Sequence, residues 1–169
     1  MEILIIGGIL VLIMVLVSTR IKKSAAEAFE EEMVETDEFS ILKPEGFLHP
    51  LREPRDFPFE AYSKLFGERS TRNIWRARAR LRIYDGDRLD EIARETSESE
   101  EVVSSETSET GDETLIDSRR TEDDIIFLVK RKIVQKNGRT FELRATMLVP
   151  YDEEYSGRIS ALIDSFTVK

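Results

Sequence analysis

Cysteine is absent from this chain of 169 residues, which excludes disulfides, thiolate zinc sites, thiol nucleophiles and a lipid-accepting cysteine. The single histidine, His49, leaves no imidazole pair for zinc, and its place before Pro50 reads as an exposed loop. There is no glycine-rich phosphate loop, no Gly-x-Ser-x-Gly elbow and no calcium loop of alternating acids. Two carboxylate groups come nearest to chemistry, Asp123 with Asp124 and Asp152 through Glu154. The second falls in the first turn of an expected helix, where acids suit the positive end of the dipole. The chain therefore reads as a non-enzyme, with no catalytic residue, no metal ligand set and no cofactor assigned.

Basic residues are missing from two stretches. Residues 27–38 hold seven carboxylates and residues 95–114 hold eight, with no lysine or arginine in either. The formal charge of -9 is thus a sum over two acidic segments and a remainder that is basic.

Charge of either sign is missing from Ile3 to Val17, where thirteen large apolar residues surround Gly7 and Gly8. Carried on to Thr19, the run makes about 26 Å of helix against a hydrocarbon core of roughly 30 Å, and Arg20, Lys22 and Lys23 can snorkel to the headgroups. Its residues favour insertion by on the order of 5 kcal/mol. A buried soluble helix would show a polar face, and a cleaved secretory signal would open with a basic region; neither is present. Residues 1–20 are therefore expected to be a transmembrane anchor that meets the bilayer through residues 3–19. With Glu2 before the run and Arg20, Lys22 and Lys23 after it, the positive-inside rule places the rest in the cytoplasm, as a single-pass protein of the cell membrane.

Residues 21–37 are rich in helix formers among acids and are expected to be an acidic helical stalk, with Phe29 and Met33 on one face. Residues 38–169 are expected to be one α+β domain, an antiparallel β-sheet packed by helices. Its first strand is Phe39 to Leu42, followed by a proline-broken loop over residues 43–57. Asp56 and Pro58 predict a short helix carrying Phe59, Tyr62 and Phe66, ended by Gly67. Residues 75–84 alternate: Trp75, Ala77, Ala79, Leu81 and Ile83 on a buried face, and Arg76, Arg78, Arg80 and Arg82 on the other. Asp87 caps a short helix to about Arg94, and residues 95–114 read as an acidic Ser/Thr/Glu loop, or at most one weak edge strand.

A hairpin from Ile125 to Val149 turns about Asn137 and Gly138, with residues 114–120 as a partner strand. A two-residue turn puts Lys130 and Lys132 opposite Ala145 and Leu143. A three-residue loop pairs Ile133 with Phe141, Val129 with Ala145 and Phe127 with Met147, and is the register expected, at the cost of placing Arg131 inward. Pro150 and Asp152 open a helix with Tyr155, Ile159, Leu162, Ile163 and Phe166 as its apolar stripe.

Strand, Asn137-Gly138 turn, strand, Pro150 and a helix ending Ile163-Asp164-Ser165-Phe166, with Phe39-Ser40-Ile41 before Pro44-Glu45-Gly46-Phe47, resemble the PsbP/Mog1-type domain. The resemblance covers residues 38–48 and 114–168. It implies a helix-flanked antiparallel sheet used as an accessory or binding module, with no shared catalytic residues.

The candidate face for an anionic partner is Arg76, Arg78, Arg80 and Arg82. The bland alternative is a solvated face with scattered ion pairs. The acidic segment 95–114 is a candidate internal clamp across that face, which phosphorylation of Ser97, Ser99, Ser104 or Ser105 would tighten. Nucleic acid is not expected, because Trp75 falls opposite the arginines and the chain is acidic. The function expected is a membrane-anchored interaction or accessory module with a protein partner at the membrane. The alternative is a small-ligand or enzymatic pocket between sheet and helix.

Overall fold

The structure, a computed structural model, describes residues 13–20, 27–51, 56–66 and 74–169. The chain forms two compact units, Met1–Glu30 and Glu31–Lys169. In the first, residues 13–20 are helical. Among the described residues no helix is long and apolar enough to cross a membrane. Residues 3–12 of the expected span, together with Lys22, Lys23, Ala25 and Ala26, lie outside them.

The second unit is α+β, with two antiparallel sheets. The smaller one is ordered β1-β2-β9. It comprises β1 (Glu32–Glu35), β2 (Phe39–Lys43) and β9 (Thr167–Val168). The larger one is ordered β3-β4-β8-β7-β6-β5. Its strands are β3 (Phe59–Tyr62), β4 (Ala77–Asp85), β5 (Glu101–Thr107), β6 (Glu113–Glu122), β7 (Ile125–Lys136) and β8 (Arg139–Leu148). Two helices, α1 (Leu89–Ser99) and α2 (Asp152–Ser165), complete it.

The core follows from alternation on the central strands. Ala77, Ala79 and Leu81 of β4 and Leu143, Ala145 and Met147 of β8 share one face of the large sheet. That face is closed by Tyr155, Ile159 and Leu162 of α2, by Phe166 just after it, and by Phe39 and Ile41 of β2. The predicted stripe of the last helix is thus buried as expected, and Phe47 meets Tyr155 edge-on at 5.8 Å. The small residues Ala77, Ala79 and Ala145 leave room for these rings at interior packing density.

A second, smaller core lies on the opposite face. There Leu89 and Ile92 of α1 cover Ile116 of β6 and Ile133 of β7. Both faces of β7 are consequently apolar in part, and this overturns the expected hairpin register. The observed pairs are Ile133 with Glu142, Lys132 with Leu143 and Lys130 with Ala145. The loop is the two-residue turn Asn137–Gly138, with φ of 53° and 72°. Two positive φ values make a type I′ turn, whose twist matches the flanking strands. The lysines on the core face lie toward the far strands and reach acids, Lys132 to Glu113 at 3.2 Å and Lys130 to Asp117 at 3.1 Å.

Three other expectations are corrected. Residues 32–35 are strand β1 rather than stalk helix, paired with β2 from Glu32–Lys43 to Glu35–Ser40. The pairing is supported by buried Lys43, which donates to the Phe47 carbonyl at 3.3 Å and stands 3.8 Å from Glu32. Residues 59–62 are strand β3, not helix, because Phe59 and Ala61 alternate into the core opposite Leu81 and Ala79; the expected terminator Gly67 lies outside the described residues. The helix expected to stop near Arg94 runs to Ser99, held by buried Thr96; after it, residues 101–107 pair with β6 as the sheet's exposed edge, the single edge strand allowed for in the acidic segment.

Candidate functional site

Alternation on β4 puts Arg78, Arg80 and Arg82 on the face away from α2. Register then aligns them across the sheet. Glu60 of β3 stands opposite Arg80, Arg80 opposite Arg144 of β8, and Arg144 opposite Arg131 of β7. Three guanidinium-bearing residues therefore stand side by side on adjacent strands, which are roughly 4.8 Å apart. Like charges directly opposite one another destabilise a sheet, so this row needs counter-charges.

The chain supplies them at the row's two ends. At the β3 end, Glu60 Oε1 accepts from Arg78 Nε at 2.7 Å and from Arg80 Nε at 3.0 Å. At the other end, Glu100, just past α1, is buried over Arg131. Its Oε2 accepts from Arg131 Nη1 and Ser118 Oγ, both at 2.6 Å, and its Oε1 from Arg131 Nη2 at 2.8 Å and Arg144 Nη2 at 2.9 Å. Glu142 accepts from Arg131 Nε at 3.2 Å and from the Tyr84 hydroxyl at 2.9 Å.

Burial opposes ionisation of Glu100, but the hydrogen bonds from Arg131 and Ser118 and the charges of Arg131 and Arg144 outweigh it and hold the carboxyl at about 2. Arg131 is also buried, yet Glu100 and Glu142 favour its charged form and raise its pKa. Arg144 is served less well. Burial and the neighbouring Arg131 pull its pKa down to about 10, with Glu100 offsetting only part.

Beyond α1 the same face is open, and a groove of about 310 Å³ lies there. Arg78, Arg80 and Arg82, then Arg144, Glu142 and Thr146, form its floor, with Arg120, Glu122, Asp123, Ile125 and Phe127 on one side and Ile74 and Trp75 on the other. The Nε atoms of Arg120 and Arg144 are buried without a hydrogen-bond partner. Thr146 Oγ1 donates to the Arg78 carbonyl at 3.3 Å, so the hydroxyl on the floor is tied to backbone. Among the described residues no cluster of three His, Asp or Glu side chains forms a metal site. The groove's chemistry is the recognition of anions by planar, always-charged forks beside aromatic surface.

Three of the four arginines expected on the anionic-partner face line this groove. Arg76 precedes β4 and its guanidinium lies 4.5 Å from the centre of the Tyr151 ring. Arg69 and Arg72 lie outside the described residues. Trp75 is not on the core face: it also precedes β4, stacks on Tyr62 at 4.0 Å and borders the groove on the arginine side. The acidic segment does not lie across β4; only Glu100 enters the face, and it engages Arg131 and Arg144. His49 is half-buried rather than an exposed loop residue, with Nδ1 2.8 Å from the Glu60 carbonyl oxygen and its ring edge-on to Phe59. A depression of about 140 Å³ lies between strands β5 to β7 of the large sheet and α2. Arg120, Arg144, Glu60 and Glu142 are members of the site that sequence reasoning missed. The signal for two of them was the Glu142, Arg144, Thr146 alternation, which the two-residue turn sets opposite Ile133, Arg131 and Val129.

No protein-family model matches the chain, and no curated protein matches it. Solved structures do. The Ran-binding protein Mog1p of Saccharomyces cerevisiae superposes with a TM-score of 0.58 at 10% identity, covering 83% of this chain and 96% of that one. LpqN of Mycobacterium tuberculosis, involved in cell envelope biogenesis, gives 0.57 at 12% identity, covering 83% and 91%. The chain has the PsbP/Mog1-like α+β fold. At 83% of this chain, the likeness to Mog1p extends well beyond the residues that carry the sequence resemblance. Cyanobacterial PsbP from Synechocystis aligns more loosely, with a TM-score of 0.46 at 9% identity over 83% of this chain and 94% of that one. At such identities the likeness carries the fold, and function has to come from the site.

Proposed function

We propose that this chain is a membrane-tethered, non-enzymatic docking module whose arginine groove holds an acidic segment of a protein partner. The observation that carries the reading is the row Arg80–Arg144–Arg131, with Glu60 and Glu100 at its ends and the floor's Glu142 engaged by Arg131 and Tyr84. An acid entering from outside completes the charge balance that the row lacks. Arg and Trp at the groove are the residue types that dominate protein interfaces. Mog1p, on the same fold, is a Ran-binding protein. The tether is the apolar run 3–19, and Arg20, Lys22 and Lys23 after it support a domain on the cytoplasmic side of the cell membrane.

The test is a cross-linking pull-down with the full chain from alkali-washed membranes. The reading expects the chain to stay with the membrane and to bring down a stoichiometric partner, which the Arg80→Gln, Arg82→Gln double variant loses. A chain released by the wash removes the tether. A partner retained by the double variant removes the groove as the docking site.

A further inference from the structure

Cross-strand geometry distinguishes the kind of anion that the groove receives. Arg80 and Arg144 face each other on β4 and β8, and Arg82 follows on the same face of β4. Glu60 reaches this triangle through Arg80 Nε at 3.0 Å and Glu100 through Arg144 Nη2 at 2.9 Å, while Glu142, opposite Arg82 on the floor, accepts from Arg131 and from the Tyr84 hydroxyl. Arg82, at an exposed position, has Tyr84 as a side-chain hydrogen-bond partner, and the buried Nε of Arg144 has no hydrogen-bond partner. A carboxylate brings one charge and two oxygens, which suits one guanidinium fork. A phosphate monoester brings nearly two charges and three terminal oxygens, enough for all three arginines at once.

We infer that the group received is a phosphoserine or phosphothreonine on an otherwise apolar segment of the protein partner, its oxygens shared among Arg80, Arg82 and Arg144. The inference rests on the docking role proposed above for the groove. The volume of about 310 Å³ admits one such side chain and its neighbours, and Trp75, Ile74 and Phe127 offer apolar surface to those neighbours. A peptide is favoured over a lipid headgroup by the rim. Glu122 and Asp123 border the groove, with Asp124 exposed beside them, and a flat anionic bilayer would press against all three acids.

Trp75 is the only tryptophan, so its fluorescence reports on the groove directly. The probes are capped pentapeptides Ala-Leu-X-Leu-Ala, with X as serine, glutamate or phosphoserine, titrated into the full chain at low ionic strength. The expected result is binding of the phosphoserine peptide about tenfold tighter than the glutamate peptide, with no signal from the serine peptide. Arg82→Gln, at an exposed position, should bring the phosphoserine affinity down to the glutamate level, and Arg80→Gln should do the same; circular dichroism verifies that each variant is folded. Equal affinity for the phosphoserine and glutamate peptides overturns the phosphate inference while acid docking stands. Silence from both peptides overturns the two together. Unchanged phosphoserine binding by both variants overturns the assignment to these arginines. Tighter binding to phosphatidic acid vesicles than to the phosphoserine peptide, at matched monoester concentration, overturns the protein source in favour of lipid.

Discussion

Replacing Glu100 by glutamine keeps the shape of the side chain and removes the charge hydrogen-bonded to both Arg131 and Arg144. The carboxylate is 2% exposed and holds both guanidiniums and Ser118. Its pKa in the folded protein is about 2, against an ordinary 4.5. That difference corresponds to roughly 3 kcal/mol of folding stability at neutral pH, in line with the loss of about 3–5 kcal/mol on breaking a buried ion pair from one side. The sign follows from the folded value lying below the unfolded one. The contribution is complete above about 4.5 and is lost as the pH falls towards 2. The assay is urea unfolding of the full chain followed by Trp75 fluorescence. With a slope of about 2 kcal/mol per molar urea, Glu100→Gln should lower the midpoint by roughly 1.5 M at pH 7. Repeated at stepwise lower pH, the gap between parent and variant should close below 4.5. A gap that stays constant with pH, or that is absent at pH 7, refutes the assignment of Glu100 as the counter-charge of the row.

Ser118→Ala removes the 2.6 Å hydrogen bond to Glu100. It should cost about 1.5–3 kcal/mol and move acid unfolding to higher pH, both read from the same titration. Gly138→Ala meets open space, so its penalty is the φ of 72° alone; about 1 kcal/mol is expected, seen as a fall in melting temperature of roughly 2–4 °C. Ile133→Ala opens a cavity under α1, costing about 2–5 kcal/mol, and should speed amide hydrogen exchange in Leu89–Ser99 more than in Asp152–Ser165.

Elements with one buried face were the ones readable from residue order. Ala77 to Ile83, and the stripe Tyr155, Ile159, Leu162, Ile163 and Phe166, meet a single core and keep a clean period. β7 lies between two cores, so its residue order does not name a single buried face. With Ile133 under α1 and Leu128 and Val134 toward the α2 side, the choice of register by apolar pairing had no unique answer, and turn twist decided it. The same slip hid the site. A register shift of one residue sets Arg131 opposite Arg144 and turns an apparent misplacement into part of an ion network. Helix formers and acids at 32–35 suggested a stalk, but β2 offers those residues a pairing edge, a tertiary gain that propensity does not contain. Arg120 in the groove lining and Glu60 at the end of the arginine row come from strands distant in sequence, and the sheet order β3-β4-β8-β7-β6 brings them to one face.

Site-specific photo-cross-linking tests the docking role of the groove most directly. A photo-reactive phenylalanine analogue is placed in the full chain at position 127 in the groove lining, which leaves the arginines intact, and, separately, at position 103 on the exposed edge strand β5. Irradiation in the native membrane should give a protein adduct at position 127, mapped by mass spectrometry to an acidic or phosphorylated segment, and none at position 103. An adduct at position 103 with none at position 127 would contradict the account.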